Sequence, residues 1–237
     1  VFAPPDIDSM HIDAVETAVG VPDYMDGAAI VRAALAEGAD AVHPGFGFLA
    51  ENANFASLVN AAGLVWVGPP PAAIESMGCK AGARDMMAAA GVPVLPGYQG
   101  EAQDDATLSA EAERIGFPVI VKPSAGGGGK GMQVVHCAEQ LSDALGTARR
   151  LAGSAFGDER LILERYLPVA RHIEVQVLAD SHGNYVHLFE RECSIQRRHQ
   201  KVIEEAPSPA FAGCPEARQA LFEHAISAAQ AVDYVGA

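Results

Sequence analysis

Polar and apolar positions along this chain change period several times, and each change marks an element boundary. Gly27 to Glu37 carries apolar residues at helical spacing and leads through Gly38 into a short strand-like run, Asp40 to His43. A second helix, about Glu51 to Ala62, runs to the strand Leu64 to Val67. Alternating helices and short apolar strands predict a parallel, doubly wound α/β layer over residues 1–67. Gly68-Pro69-Pro70-Pro71 breaks it, and two short helices follow, one before Gly78 and one from Lys80 to Ala90, as a linker over residues 68–93. Beyond Gly91 the order becomes helix, glycine hairpin, helix (Ala138 to Leu151) and strand (Leu161 to Glu164), a small α+β unit over residues 94–166. From Arg171 the period is two. It places His172, Glu174 and Gln176 on one face of a strand and leaves the other face apolar, for the core. Asp180 to Asn184 supplies a turn, Tyr185 to Arg191 returns antiparallel, and a last helix, about Pro215 to Ala231, closes the 167–237 stretch.

The hairpin carries the first chemistry. Val119 to Val135 reads VIVKPSAGGGGKGMQVV, four consecutive glycines between β-branched runs, with Lys122 at the entrance and Lys130 near the exit. Glycine permits positive φ and removes the Cβ that would hold an anion away from backbone N–H groups. A Walker loop is excluded, because Ser124 stands at its first glycine and Gly131 follows Lys130 where a Ser or Thr should bind magnesium. Gly126, Gly128 and Gly131 match a dinucleotide fingerprint in spacing, yet a strand-like segment follows where a helix should start. What remains is a flap between antiparallel strands that closes over a nucleotide's phosphates, or else a solvent-exposed hairpin tip. Lysine usage favours the flap. The chain has four lysines, Lys80, Lys122, Lys130 and Lys201, against three times as many arginines.

Composition narrows the partners. The 237 residues are 49% hydrophobic, enough for substantial cores, and a formal charge of −14 argues against a nucleic-acid partner. Seven of the 16 Lys and Arg residues nevertheless fall between Arg160 and Lys201, a local positive site suited to a small polyanion. Cys79, Cys137, Cys193 and Cys214 show neither metal nor disulfide spacing and are expected to be reduced and mostly buried. No apolar run is long enough to span a bilayer and no signal peptide leads the chain, so a soluble, reducing compartment is expected. Val1 at the start and Val235-Gly236-Ala237 at the end suggest that both termini are missing.

Five blocks then occur in order: His43 to Asn52 (HPGFGFLAEN), Met77 to Lys80, Gly126 to Met132, Arg171 to Gln176, and Gln196 to Val202 with Glu204 to Pro207. Together they resemble the biotin carboxylase component of biotin-dependent carboxylases, in the ATP-grasp superfamily. The resemblance implies a partial N-terminal α/β domain, an ATP-grasp lid over 94–166 and the start of the ATP-grasp C-terminal subdomain, truncated at the C-terminus. It implies ATP binding by Lys80 and Lys122, phosphate contacts from Gly128 and Gly129, and Met132 beside the base. Adenine is then recognised by backbone around Glu164, Arg165, Tyr166 and Leu167, with His172, Gln196 and His199 as nucleotide and ribose contacts. Lys201 helps hold bicarbonate, where a compact cation suits a small oxyanion. Lys130 is left open between phosphate contact and solvated cation. Arg197 and Arg198 stand between substrate contact and pairing with Glu204 and Glu205, and His43 and Glu51 between substrate contact and a capping or packing role.

The implied reaction is ATP-dependent carboxylation of carrier-bound biotin by bicarbonate through carboxyphosphate, with magnesium or manganese. The implied partners are a biotin carboxyl carrier domain and a carboxyltransferase, in a homodimer or larger assembly of the cytoplasm or mitochondrial matrix. In the family the metal carboxylates, the general-base Glu and an Arg that stabilises the biotin enolate lie beyond this chain's end, so no metal ligand is expected within it. Phe46 replaces the usual Tyr and Cys79 the usual Asp. The chain alone is therefore expected to bind nucleotide weakly or not at all, and to turn nothing over. Another ATP-grasp ligase, such as a carbamoyl-phosphate synthetase half, and a non-catalytic nucleotide-binding module are the alternatives.

Overall fold

The structure, a computed structural model, describes residues 1–78, 80–125, 131–197 and 200–236, and for Lys80 and Ala81 the backbone alone. The chain divides into two units, Val1–Gly78 with Leu178–Val186 and Val232–Ala237, and Cys79–Val177 with His187–Ala231.

In the first unit a short helix α1 (Met10–Asp13) precedes α2 (Gly27–Ala36), β1 (Ala41–Val42), α3 (Ala53–Ala61), β2 (Val65–Trp66) and α4 (Pro71–Gly78). Two helix starts follow from side-chain oxygens that accept otherwise unpaired N–H groups. Asp26 accepts from Ala29 at 2.8 Å and Asn52 from Phe55 at 2.9 Å. β1 and β2 pair in parallel, Ala41 opposite Val65 and Val42 opposite Trp66, as the alternating pattern predicts. Both strands are shorter than their apolar runs. Val31, Leu49, Phe55, Ala56, Val59, Leu64 and Trp66 form the core, with the Phe55 ring edge-on to Trp66 at 5.5 Å.

The second unit opens with α5 (Lys80–Ala89), then β3 (Gly97–Tyr98), α6 (Asp105–Ile115), β4 (Val119–Pro123), β5 (Gln133–Val135), α7 (Leu141–Phe156) and β6 (Leu161–Arg165). The sheet order is β3-β6-β4-β5 and every pairing is antiparallel. Val119 and Val121 point into a core built with Leu108, Leu145, Leu161 and Leu163, while Ile120 and Lys122 take the opposite face. That alternation carries Lys122 out of the core. The helix expected from Ala138 begins instead as a 3-10 turn, Ala138–Gln140, and α7 extends to Phe156, where Gly157 ends it at φ +70°.

A second sheet holds β7 (Ile173–Ala179), β8 (Tyr185–Arg197) and β9 (Gln200–Glu205), in that order, followed by α8 (Pro215–Ala231). β8 runs six residues past the expected Arg191 because β9 pairs with its far half, through two bulges between Glu192 and Gln196. The apolar face of β7 is only half-buried rather than core, since neither buried cluster includes Ile173 or Val175. Glu190 is a buried exception on β8. It has no side-chain exposure and is held by Arg218 of α8 at 2.9 to 3.0 Å and by the Ser208 N–H at 3.1 Å.

Candidate nucleotide and bicarbonate site

Two clusters of polar side chains lie in the second unit. The first is on the outer face of the β3-β6-β4-β5 sheet. Ile120 stands opposite Glu164 and Lys122 opposite Ile162, so Lys122 and Glu164 are diagonal neighbours on one face. Their ammonium and carboxylate form a hydrogen-bonded ion pair, and Arg84 of α5 approaches the other Glu164 oxygen at 3.6 Å. At the end of β6 the backbone is unusual. Arg165 donates its N–H to Pro96 at 2.8 Å and Tyr166 donates to Pro118 at 2.9 Å. Proline has no N–H to return, so the carbonyls of Arg165 and Tyr166 lack the reciprocal ladder bond.

The second cluster crosses β7, β8 and β9. His172 Nδ1 lies 2.6 Å from Gln196 Nε2, which also donates to the Cys193 carbonyl at 2.7 Å. Gln196 stands opposite Lys201 in the ladder. Lys201 pairs with Glu174, whose other oxygen accepts from Arg191 Nε at 2.7 Å, and Arg191 also reaches Gln176 at 3.3 Å. Burial pushes the Glu174 carboxyl up, but the hydrogen bonds from Lys201 and Arg191 outweigh it and hold the group below its ordinary range. The same hydrogen bond raises Lys201. The Cys193 thiol beneath is buried and pushed up, by desolvation first and then by the charges of Glu174 and Glu204.

Of the residues singled out in the sequence, Lys122 and Glu164 thus meet across β4 and β6, Arg165 to Leu167 follow at the far end of β6 beside the start of β4, and His172, just before β7, joins Gln196 of β8 and Lys201 of β9 in one polar group. Lys80 opens α5, one turn before Arg84, and Met132 precedes β5, half-buried. Gly128, Gly129, Lys130, Arg198 and His199 lie outside the described residues. Arg197 stands opposite Gln200, and the described partner of His43 is the Gly45 N–H, which its Nδ1 accepts at 3.0 Å within the turn after β1. Glu51 is not the α3 cap; Asn52 is. Sequence reasoning missed the roles of Glu174, Arg191 and Arg84. Strand alternation places Glu174 beside His172, but nothing local pairs it with Arg191 or Lys201, 17 and 27 residues away.

Glu174, Cys193 and Glu204 bring ligand atoms within 4.8 Å of one another. They do not fit magnesium, a hard cation that takes oxygen ligands in an octahedron. One of the three is a thiol, and both Glu174 oxygens are already committed to cations.

A glycine-tipped antiparallel hairpin with a lysine at the loop end of its first strand, and a further sheet bearing a polar row, are the parts of an ATP-grasp domain. Residues 80–237 match the family described as carbamoyl-phosphate synthase L chain, ATP binding domain, and residues 1–74 match the biotin carboxylase N-terminal domain. The chain is similar to the methylcrotonoyl-CoA carboxylase subunit alpha of Glycine max, at 47% identity over 100% of this chain and 33% of that subunit. It is 43% identical to biotin carboxylase 1 of Bacillus subtilis, over 100% of this chain and 54% of that one. A solved biotin carboxylase of Campylobacter jejuni in complex with β-γ-ATP aligns with a TM-score of 0.91 at 40% identity, covering 99% of this chain and 54% of its own. The chain belongs to the biotin carboxylase family. It spans between about a third and about half the length of the curated relatives it matches.

Proposed function

We propose that the polypeptide carrying this chain uses ATP to carboxylate biotin with bicarbonate, as part of an acyl-CoA carboxylase. The observation that supports it most is the group His172, Gln196 and Lys201, a cation held by Glu174, which Arg191 holds in turn, on a sheet in the same unit as the Lys122 hairpin. A related domain, the 2-oxoglutarate carboxylase biotin carboxylase domain of Hydrogenobacter thermophilus, was solved with MgADP, ADP and bicarbonate, and it is 41% identical with a TM-score of 0.85. The match of residues 1–74 to a biotin carboxylase domain favours biotin chemistry over the carbamoyl-phosphate alternative.

In this reading residues 94–166 are the lid subdomain and 167–237 begin the subdomain that faces it. The Arg165 carbonyl and the Leu167 N–H would meet the adenine edge. Lys80, Lys122, Gly128 and Gly129 would serve the phosphates, with Met132 beside the base and His172 and His199 nearer the ribose. Lys201 would hold bicarbonate close to the γ-phosphate, its ammonium held by Glu174, which Arg191 fixes in turn. A bicarbonate oxygen then attacks the γ-phosphorus, the bond to the bridging oxygen breaks, and ADP leaves. Carboxyphosphate breaks its carbon–oxygen bond to give carbon dioxide and phosphate, and the biotin nitrogen passes its proton to that phosphate as it bonds to the carbon dioxide. Bringing two anions together demands preorganised cations in a water-excluding site. Magnesium is expected with the nucleotide, but the Glu174, Cys193 and Glu204 group does not fit it, and no step is drawn through it. Among the described residues no helix is long and apolar enough to cross a membrane. The proposed setting is the cytoplasm, with a biotin carrier domain and a carboxyltransferase as partners in a dimer or larger assembly.

The test is ADP release by the polypeptide carrying this sequence, with free biotin and bicarbonate. K201A is expected to lose biotin-dependent turnover by roughly 100-fold or more while nucleotide binding persists. ATP cleavage that ignores both biotin and bicarbonate would overturn the reading.

A further inference from the structure

Glu164 is shared by two cations of different strength of hold. Lys122 is hydrogen-bonded to one oxygen, and Arg84 stands 3.6 Å from the other, beyond hydrogen-bond reach. The three side chains are 25%, 21% and 14% exposed for Lys122, Glu164 and Arg84, so water cannot fully replace a lost partner. Arg84 has a built seat. A Cβ on Gly97 would come within 3.0 Å of its guanidinium carbon and within 2.6 Å of the Leu163 carbonyl, so the missing side chain at 97 makes the space in which the guanidinium lies over the sheet edge.

If Lys122 turns to nucleotide phosphate, as the proposed function requires, its bond to Glu164 must loosen. A carboxylate only a fifth exposed would then keep just the long Arg84 contact and no hydrogen-bonded cation, which opposes binding. We propose that Arg84 is a positioning residue that takes over Glu164 as nucleotide draws Lys122 away, so that ATP binding strands no carboxylate. The pairing is geometric: each cation faces its own oxygen, so the transfer needs only that the guanidinium close a gap of less than about 1 Å to normal hydrogen-bond distance. The inference rests on the assignment of Lys122 to the phosphates.

A double-mutant cycle on the polypeptide carrying this sequence tests it, with ATP affinity read by nucleotide titration and KM read separately from kcat. R84L should weaken ATP binding roughly tenfold and raise KM while leaving kcat within about twofold, and R84K should restore most of the affinity. In an E164Q background, where no carboxylate can be stranded, R84L should change affinity by less than about twofold. The inference is overturned if R84L binds ATP as the parent does, or if R84L costs as much in the E164Q background as it does beside the native Glu164, which would mark a merely structural arginine. Should R84L not fold, R84Q carries the same cycle with a polar side chain in the Gly97 gap. K122M separates the two levels. Unchanged affinity there sinks the Lys122 assignment itself, whereas a loss in K122M with none in R84L sinks only the handover.

Discussion

Glu174 shows how a single carboxylate organises the row on the second sheet. One oxygen holds Lys201 and the other holds Arg191, and these bonds outweigh the upward pull of burial, so its folded pKa lies below the ordinary 4.5. A lowered folded value means that the unfolded chain binds the proton more readily. The stabilisation is therefore complete above pH 4.5 and drains away as pH falls through the folded value. Lys201 behaves in mirror image: its value is raised above 10.5, first by the hydrogen bond to Glu174, so its share is complete below 10.5 and lost as pH rises past the folded value. E174Q should therefore melt below the parent near neutral pH, and the gap should narrow as pH drops below about 4.5. Melting curves between about pH 3 and pH 8 check this, and a gap that stays constant across that range would contradict it. Lys201 itself was legible, because so few lysines are present and it sits in a motif. Its brace was not, since a pairing 27 residues away is set by sheet register, which local periodicity does not encode.

At the level of elements, what could be read were the features fixed by neighbours in sequence. The antiparallel hairpin around the glycines, the parallel β1 and β2 pair and the helix from Pro215 follow from period and punctuation. The length of β8 and the half-buried face of β7 depend on which strand lies alongside, so period alone gives neither. Gly97 belongs to the second kind. Nothing in the sequence around it signals that a backbone carbonyl and a guanidinium crowd its absent side chain. G97A should therefore cost about 1–3 kcal/mol, the usual range for an inserted methyl that meets backbone. Urea unfolding measures it, and the same variant should push Arg84 off its seat and weaken ATP binding in the direction of R84L. A G97A protein as stable as the parent would mean that β3 moves aside at little cost.

Across the whole molecule, charge is distributed in a way that composition alone overstates. The formal charge is −14, with seven of the 16 cations between Arg160 and Lys201. In the structure most of that basic stretch is already spoken for: Arg160 faces Asp158, Arg171 faces Glu192, and Arg191 and Lys201 share Glu174. A positive field broad enough for a long polyanion is not what these pairs leave. Among the described residues these pairings suit a nucleotide held by contact with individual cations rather than by field. Salt should discriminate the two, because contacts within about 4 Å are screened far less than interactions beyond the Debye length of ~10 Å at 0.1 M. ATP affinity is expected to fall only a few-fold between about 0.05 and 0.5 M salt, against the thousand-fold or larger losses typical of a protein that neutralises many phosphates along DNA. Nucleotide titrations across that range, with duplex DNA as the comparison ligand, give the answer. Weak salt dependence for ATP and no retention of DNA at either salt would support contact binding, and steep salt dependence with DNA retained would mean that the paired arginines are free to turn outward.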